Sequence, residues 1–418
     1  MSTTLPLPTV PAADRPAAKL ALLELPPDQL RAWLAERGQP PMRVRQIRRW
    51  VLEARATTFE EMSDLPKHLR TELAESFTIF GTRVERHLTA SDGTHKLVLR
   101  LHDDRMIECV LIQDDGRATA CVSTQVGCAM GCVFCASGLN GVARNLTSGE
   151  IVEQLVRLRN LTLSDPLPLG ERVAEGRVRG RLPGEESSIS GQNVSLGGKP
   201  FPSPPTPLPQ GERGEKWATR LTHIVVMGMG EPLANLDNLL DALTVAGDKH
   251  GLGIGARHVT ISTVGLPPKM RRLADLGKQY HLAVSLHAPN DPLRTEIVPT
   301  NEKTGIPDIL AAADYFFEKT GRQVTYEYVV LGKLNDQPPH AKQLAGLLRG
   351  RKAHVNLIPW NDVDGLPYRR PADADLNGFI ETLQRAGVSV KVRKRKGSEI
   401  DAACGQLRRE AEAAANRA

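Results

Sequence analysis

The sequence predicts an α/β protein whose core is a parallel sheet curled into a partial (βα)6 barrel. A small N-terminal helical domain and a short antiparallel β extension precede the barrel. Three patterns in the 418 residues predict this fold: helical spacing over residues 27–77, alternating polarity over 87–112, and repeated strand–helix units from residue 118 onward. Repeated strand–helix units favour parallel strands joined by right-handed crossovers.

The N-terminal region divides into a tail and a helical domain. Residues 1–26 are rich in proline and alanine and are expected to form a disordered tail. Leu30, Trp33 and Leu34 then follow at i, i+3 and i+4, so we predict a helical domain over residues 27–86. Four arginines of this domain form either a solvated helix face or a contact with RNA: Arg43, Arg45, Arg48 and Arg49.

The extension and the core follow. Residues 87–117 are predicted to form the antiparallel extension, and residues 118–410 the core. Seven segments of the core are predicted as strands: 120–125, 223–229, 258–264, 281–286, 324–331, 354–359 and 388–392. Five segments between them are predicted as helices: 149–161, 236–249, 267–276, 306–319 and 339–349.

One stretch interrupts this order. Residues 163–217 contain nine prolines and nine glycines, and the segment PLPLGER at 166–172 recurs as PLPQGER at 207–213. This composition is typical of a low-complexity, disordered insertion. Because the insertion follows a helix and precedes a strand, we predict that it lies at the rim of the barrel opposite the strand ends, where chemistry gathers.

Composition narrows the class of protein. The hydrophobic content of 40% and the charged content of 24% are those of a globular protein. We find neither an apolar run that could span a bilayer nor a signal peptide, and we therefore expect a cytoplasmic protein without a membrane partner. The net charge of +6 suits a polyanionic partner such as nucleic acid. Four of the six cysteines lie within residues 121–135, which indicates metal or redox chemistry rather than disulfides.

The spacing of Cys128, Cys132 and Cys135 is the strongest functional signal. Three thiolates at these intervals can surround one side of an iron–sulfur cubane and leave its fourth iron without a protein ligand. A four-ligand zinc site is the simpler alternative, but such sites usually pair two CxxC units, and the sequence has no second unit. The pattern CxxxCxxC, just after the first strand of a βα array, resembles the radical S-adenosylmethionine (SAM) superfamily.

That resemblance implies a TIM-like radical SAM barrel, a [4Fe–4S] cluster on the three cysteines, and SAM at the open iron and the strand ends. Glycine lets the backbone approach a ligand closely, and Glu231 can accept hydrogen bonds from an ammonium group. A lone serine or histidine in a strand is commonly just a packed polar group, but here such residues recur at successive strand ends. We predict that SAM contacts seven residues: Gly230, Glu231, Ser262, Ser285, Leu286, His287 and Asn356.

Further motifs narrow the resemblance to one family. In chain order they are CVSTQVGC at 121–128, GMGEP at 228–232, SLH at 285–287, NLIP at 356–359 and DAACGQL at 401–407. Together they resemble the RlmN family of adenine carbon-2 RNA methyltransferases over about residues 28–410, apart from the insertion. The resemblance implies methylation of an adenine in 23S rRNA and of the adenine 3′ of certain tRNA anticodons. It also implies that the N-terminal domain helps to hold RNA.

The resemblance also implies a mechanism. Carbon 2 of adenine is electron-poor and cannot attack the methyl group of SAM directly. Cys404 matches the cysteine that first accepts a methyl group, and a second SAM supplies the 5′-deoxyadenosyl radical that activates this group for addition to adenine. Cys121 matches the thiol that helps to resolve the protein–RNA adduct through a transient disulfide with Cys404. Glu108 matches a carboxylate proposed as a proton acceptor.

Several of these positions also have ordinary structural explanations. Cys404 could belong to the core, and Glu108 could face solvent on its strand. The basic run at residues 391–396 could protect a strand edge or contact phosphates. Cys109 has no role in a motif and is predicted to be a buried apolar side chain.

Alternative functions stay open at this point. A Cfr-like enzyme, which modifies carbon 8 of the ribosomal adenine, shares the cluster and both cysteines; the DAACGQL and GMGEP motifs favour RlmN. A non-catalytic iron–sulfur RNA-binding protein would need the cluster but not Cys404, and a protein-activating radical enzyme would need no methyl-accepting cysteine. As partners we expect 23S rRNA, tRNA and an electron donor such as flavodoxin, with the chain itself a monomer.

The insertion provides a first testable prediction. Deleting residues 165–215 should leave the cluster and the RNA methylation activity largely intact, because an αβ loop lies away from the strand ends that bind the ligands. The iron content and the methylation rate of the shortened protein check this. A soluble deletion variant that lacks both cluster and activity would refute the placement of the insertion.

Overall fold

The computed structural model describes residues 19–162, 220–363 and 365–407, and its architecture confirms the predicted α/β fold. The insertion at 163–217 and the first part of the predicted tail lie outside the described residues. No helix within the described ranges is long and apolar enough to cross a membrane.

The tail prediction is wrong for its last residues. Strand β1 (Leu20–Ala21) pairs in parallel with β2 (Phe77–Thr78), and a 3-10 helix follows over Leu22–Glu24. Leu22 and Leu25 are buried in the core. The proline- and alanine-rich composition hid these leucines, whose burial fastens the segment to the fold.

Three helices form the N-terminal domain: α1 (Pro27–Ala35), α2 (Met42–Leu52) and α3 (Lys67–Ser76). Asp64 organises the basic group of α2, because its carboxylate accepts hydrogen bonds from Arg49 (2.7 Å) and from the Trp50 indole (2.5 Å). Its carbonyl accepts one from Arg43 (3.2 Å). Arg45 and Arg48 instead line a groove between α2 and residues 244–251. The four arginines therefore divide into one pair that fastens the domain and one pair that faces a groove.

The extension is an antiparallel meander that begins at Arg83, not at residue 87 as predicted. Its strands are β3 (Arg83–Thr89), β4 (His95–Arg100), β5 (Met106–Asp114) and β6 (Arg117–Cys121). The early start has a physical cause: β3 bulges after Val84, which pairs with Leu99, so the strict alternation is interrupted there.

The barrel sheet continues from β6. Two short strands, β7 (Gln125–Gly127) and β8 (Val142–Asn145), first form a separate hairpin, so the first predicted barrel strand ends at Cys121 rather than at residue 125. The remaining strands follow in parallel, in chain order across the sheet: β9 (His223–Val226), β10 (Val259–Thr263), β11 (His281–Ser285), β12 (Val324–Val330), β13 (Ala353–Pro359) and β14 (Ser389–Val392).

Among the described residues, seven helices accompany these strands. The five predicted ones are present within three residues of their expected ends: α4 (Ser148–Leu161), α5 (Leu236–Gly247), α6 (Pro267–Asp275), α8 (Ile306–Thr320) and α9 (Pro338–Leu348). Two were not predicted: α7 (Asp291–Ile297) and α10 (Asp373–Arg385). The insertion leaves the fold after α4 and returns before β9, and the Thr222 amide donates to the carbonyl of Ala118 at the start of β6 (2.9 Å). Thr222, which follows the insertion, therefore lies at the rim opposite the strand ends, while the placement of the insertion itself stays a prediction.

Candidate active site

Two adjoining clefts lie at the carboxyl ends of the parallel strands. The first is lined by Cys128, Cys132 and Cys135; we call it the cluster cleft. The second is lined by Cys121 and by the basic residues 393–396; we call it the basic cleft. Both clefts share a boundary of five residues: Met227, Ile358, Asn361, Arg393 and Cys404.

The three cysteines of the cluster cleft lie in the loop between β7 and β8. Burial raises the pKa of Cys128 to about 12, and burial together with the charges of Cys135 and Cys128 raises the pKa of Cys132 well above its usual value. Three thiolates this close to one another are stable only beside a positive group. The described residues contain no group of three potential ligands around a single ion. A cubane fits instead, because it offers each thiolate a separate iron.

Backbone packing fixes the loop at residues 228–232 beside the cysteines. A Cβ on Gly228 would lie 2.7 Å from the backbone of Val122, and a Cβ on Gly230, whose φ is +103°, would lie 2.8 Å from the amide nitrogen of Gln125. From the sequence, these glycines are expected to let the backbone approach a ligand closely. In the structure they are required because two segments of the protein backbone approach each other.

Glu231 projects from this loop into the cluster cleft and is 3% exposed. Its carboxylate accepts hydrogen bonds from the amides of Val264 (2.8 Å) and Leu233 (3.0 Å). Burial raises its pKa to about 6 despite these bonds. A buried carboxylate of this kind is well suited to bind an ammonium group.

Of the other predicted SAM contacts, Ser262, Ser285 and His287 line the cluster cleft, as do Gly230 and Glu231. The hydroxyl of Ser262 donates to the carbonyl of Val226 (2.7 Å), which orients it at the cleft wall. Leu286 and Asn356 are not part of the lining. Leu286 is fully buried. Asn356 donates a hydrogen bond to Glu327, which does line the cleft.

His287 is held in one orientation and one charge state. Its Nδ1 accepts a hydrogen bond from the amide of Val329 (3.1 Å), and its ring meets the ring of Phe134 edge-on, with centroids 4.9 Å apart. Burial, helped by the charge of Arg294, lowers its pKa to about 3. His287 is therefore neutral at physiological pH and offers a polar but uncharged surface.

Two residues of the site were missed or underrated by the sequence analysis. Glu327 of β12 lines the cluster cleft, is 5% exposed and accepts a hydrogen bond from Asn356 (2.8 Å). The available signal was a carboxylate in the middle of the apolar strand VTYEYVV. Arg393, which we had placed in a surface run, instead lies at the boundary of both clefts, and the charges of Cys404 and Glu327 raise its pKa.

Cys404 lies in a loop that is fastened to the cluster loop. The Ala136 amide donates to the carbonyl of Gly405 (2.8 Å), the Ser137 hydroxyl donates to that of Leu407 (2.7 Å), and the Asn361 side chain donates to that of Cys404 itself (3.1 Å). These bonds place the thiol at the boundary between the clefts. One side chain thus borders both clefts.

Cys121, at the end of β6, lines the basic cleft together with Cys404. Both are free thiols. Burial, and next the charge of Cys404, raise the pKa of Cys121 to about 12, while the charge of Arg393 opposes this rise. The fold thus brings these two cysteines, far apart in the sequence, to the lining of one cleft. Cys109, by contrast, is fully buried, as predicted.

Glu108 does not face solvent, so that alternative is wrong. It is 1% exposed and forms an ion pair with Lys96 of β4, with 3.3 Å between the ammonium nitrogen and the carboxylate. Val110, two residues along β5, pairs with Cys121, so Glu108 lies on the same face of the sheet as Cys121. Glu108 lines neither cleft in this structure.

A loop with three cysteines at the carboxyl ends of a parallel barrel sheet defines the class of the protein as a radical SAM enzyme. Comparisons with known proteins agree with this class. A family model described as the radical SAM superfamily matches residues 201–344. That match begins after the cysteine loop, whose assignment therefore rests on its spacing and geometry. The crystal structure of a radical SAM methyltransferase from Sphaerobacter thermophilus is 37% identical, covers 93% of this chain and 99% of its own, and superposes with a TM-score of 0.77.

The comparisons also show the family. A model described as the ribosomal RNA large subunit methyltransferase N-terminal domain matches residues 20–79. A relative from Rhodopirellula baltica, named probable dual-specificity RNA methyltransferase RlmN, is 49% identical over 96% of this chain and 95% of its own. One of the same name from Bacillus licheniformis is 39% identical over 91% of each chain. The chain belongs to the RlmN family of radical SAM RNA methyltransferases; it is an enzyme that uses a [4Fe–4S] cluster and SAM. The interpretation as a non-catalytic RNA-binding protein is wrong.

The environment of Glu231 leads to a prediction. The substitution Glu231→Gln should weaken SAM binding by about tenfold or more, because one charge-assisted hydrogen bond contributes about 1.5–3 kcal/mol. Since its pKa is raised to about 6, the SAM affinity of the wild-type protein should fall as the pH drops through about 6 and the carboxylate gains a proton. The variant should lose this dependence.

Equilibrium binding of SAM to the reconstituted protein on both sides of that pH measures the effect. Glu318→Gln, an exposed carboxylate of α8, is the matched control and should bind as the wild type does. Unchanged affinity in Glu231→Gln, with the cluster absorbance intact, would contradict the role of this carboxylate.

Proposed function

We propose that this chain methylates carbon 2 of adenine in 23S rRNA and of the adenine 3′ of the tRNA anticodon, through a methyl group carried on Cys404. The position of that thiol carries the proposal. It borders the cluster cleft on one side and the basic cleft, with Cys121, on the other. A group loaded on Cys404 from the first cleft is therefore already presented to the second.

The residues of the cluster cleft would hold the cluster and SAM. When bound, these groups supply the methyl group and the 5′-deoxyadenosyl radical, and each turnover consumes two SAM molecules. Cys128, Cys132 and Cys135 would ligate the cluster. Glu231 would accept hydrogen bonds from the SAM ammonium, with Gly230, Ser262, Ser285 and His287 around the rest of the molecule. Leu286 and Asn356 would act from behind the lining, Asn356 by holding Glu327.

The residues at the boundary would carry the methyl group. A thiolate is the nucleophilic form of cysteine, and the guanidinium of Arg393 lies where it can stabilise one on Cys404. Cys121 would then resolve the protein–RNA adduct by forming a transient disulfide with Cys404. Glu108, ionised beside Lys96, would accept the proton that leaves carbon 2.

The positions of basic residues favour RNA as the substrate. Residues 393–396 and Arg370 line the basic cleft, and Arg45 and Arg48 line the groove of the N-terminal domain. Arginine and lysine at such positions bind phosphate groups. The names of the relatives, dual-specificity RNA methyltransferases, support two kinds of RNA substrate. A monomeric enzyme in the cytoplasm, reduced by a flavodoxin-like donor, completes the proposal.

The decisive experiment is peptide mass spectrometry of Cys404 after anaerobic incubation of the reconstituted protein with SAM. A methyl group on Cys404 that is absent in Cys404→Ala supports the proposal; an unmethylated Cys404 in protein that still cleaves SAM would overturn it. Nuclear magnetic resonance of the product nucleoside then identifies the methylated carbon. Methylation at carbon 8 would assign the chain to Cfr-like chemistry instead.

The two cysteines should fail at different steps. Cys404→Ala should lose RNA methylation by about 1000-fold or more, because the methyl carrier is missing. Cys121→Ala should still acquire the methyl group on Cys404 but should accumulate a covalent protein–RNA adduct, visible by denaturing electrophoresis. Cys109→Ala, a cysteine outside both clefts, serves as the control. Normal turnover by Cys121→Ala would exclude its role in resolving the adduct.

A further inference from the structure

We propose that Lys96 is a positioning residue, which keeps Glu108 ionised and ties it to the loop that carries Cys404. The inference rests on the proposed function, because it gives Lys96 a part in the step in which Glu108 accepts a proton. In that step the C2–H bond of the protein–RNA adduct breaks, the proton moves to the Glu108 carboxylate, and the electron pair stays with the adduct.

The register of the sheet places Lys96 next to this chemistry. Lys96 pairs with Val110, and Val110 pairs with Cys121, so the three residues form one row across β4, β5 and β6. Residues paired in register project to the same face of a sheet. Lys96 therefore lies on the face that carries both Glu108 and the resolving thiol.

The ammonium group of Lys96 makes two contacts there. It lies 3.3 Å from the carboxylate of Glu108 and donates a hydrogen bond to the carbonyl of Asp401 (3.2 Å). Both side chains of the ion pair are 2% exposed. Lysine is rarely buried so completely, and it is retained in such a place only with partners for its charge.

The contact with Asp401 reaches the methyl-carrying loop. Asp401 lies three residues before Cys404 and has a left-handed backbone conformation, with φ at 50°. Aspartate is one of the few residues with a side chain that adopt this conformation. Lys96 thus joins the proposed proton acceptor to a turn of this loop close to Cys404.

Other bonds between the turn that joins β3 to β4 and the loop of Cys404 have no contact with Glu108. The Ser91 hydroxyl donates to the carboxylate of Glu399 (2.7 Å), and the Gly397 amide donates to that of Asp92 (2.9 Å). These bonds, with those from the cluster loop, would hold the loop without Lys96. The distinctive contribution of Lys96 is therefore its charge beside Glu108. An ammonium group 3.3 Å away favours the ionised form of this buried carboxylate, which is the form that can accept a proton.

The test compares Lys96→Met with Lys96→Arg, which keeps the charge, and with Ser91→Ala, which removes only an outer bond to the loop. Cys404 methylation in Lys96→Met should stay within about twofold of wild type, while kcat for RNA methylation falls by about 100-fold at unchanged KM for RNA. The covalent adduct should accumulate. The kcat of Lys96→Arg should be at least about tenfold higher than that of Lys96→Met, because the charge is kept. Ser91→Ala should methylate RNA with the kcat of the wild type.

A double-mutant cycle separates positioning from mere stability. Glu108→Gln should reproduce the defect, and Lys96→Met added to it should cause no further loss of kcat. The inference would be overturned if the kcat losses of the two single variants multiplied in the double variant. It would also be overturned if Lys96→Met turned over normally, or if it lost Cys404 methylation together with turnover. Wild-type protein without a methyl group on Cys404 would instead refute the proposed function, and this inference with it.

Discussion

The arrangement of the site depends on how residues 397–407 are held. The cluster loop binds this segment near its end, where Ala136 and Ser137 donate hydrogen bonds to its carbonyls at 2.8 and 2.7 Å. The β3–β4 hairpin binds its beginning through Asp92. Cys404 lies between these anchors, so the thiol has little freedom to leave the boundary of the clefts. In the role proposed for Cys404, such fixed placement would be an advantage, because misplacement by about 1 Å can cost about 100-fold in rate.

A second constraint is the close backbone contact that holds the Glu231 loop against the segment before the cysteine loop at the cluster cleft. Gly228 and Gly230 allow the loop after β9 to touch the segment after β6. Any side chain at Gly228 would meet the backbone of Val122 at 2.7 Å, a contact that neither segment can relieve by rotating a side chain. The cysteine loop and the carboxylate of Glu231 are therefore placed relative to each other by backbone packing, before any ligand is bound.

Local patterns predicted the elements of the barrel, because strand and helix periodicities and the cysteine spacing are contained in short windows. The segment around Leu22 was missed since its burial depends on partners far along the chain. The same holds for charges: Arg393 resembled one more basic residue of a surface run, and only the fold brings it beside Cys404. The contact of Lys96 could not be predicted from the sequence for the same reason, because its partner Asp401 lies 305 residues away.

The distribution of buried charge explains why one site can serve two unlike substrates. The cluster cleft carries the carboxylates of Glu231 and Glu327, which suit SAM, a molecule with a sulfonium and an ammonium group. The basic cleft carries residues 393–396, which suit the phosphates of RNA. Arg393 stands at the border, where the charge of Glu327 on one side and the thiols on the other both favour its positive form. Under the proposed function, these opposite charges would favour SAM in one cleft and RNA in the neighbouring one, with Cys404 at the boundary between them.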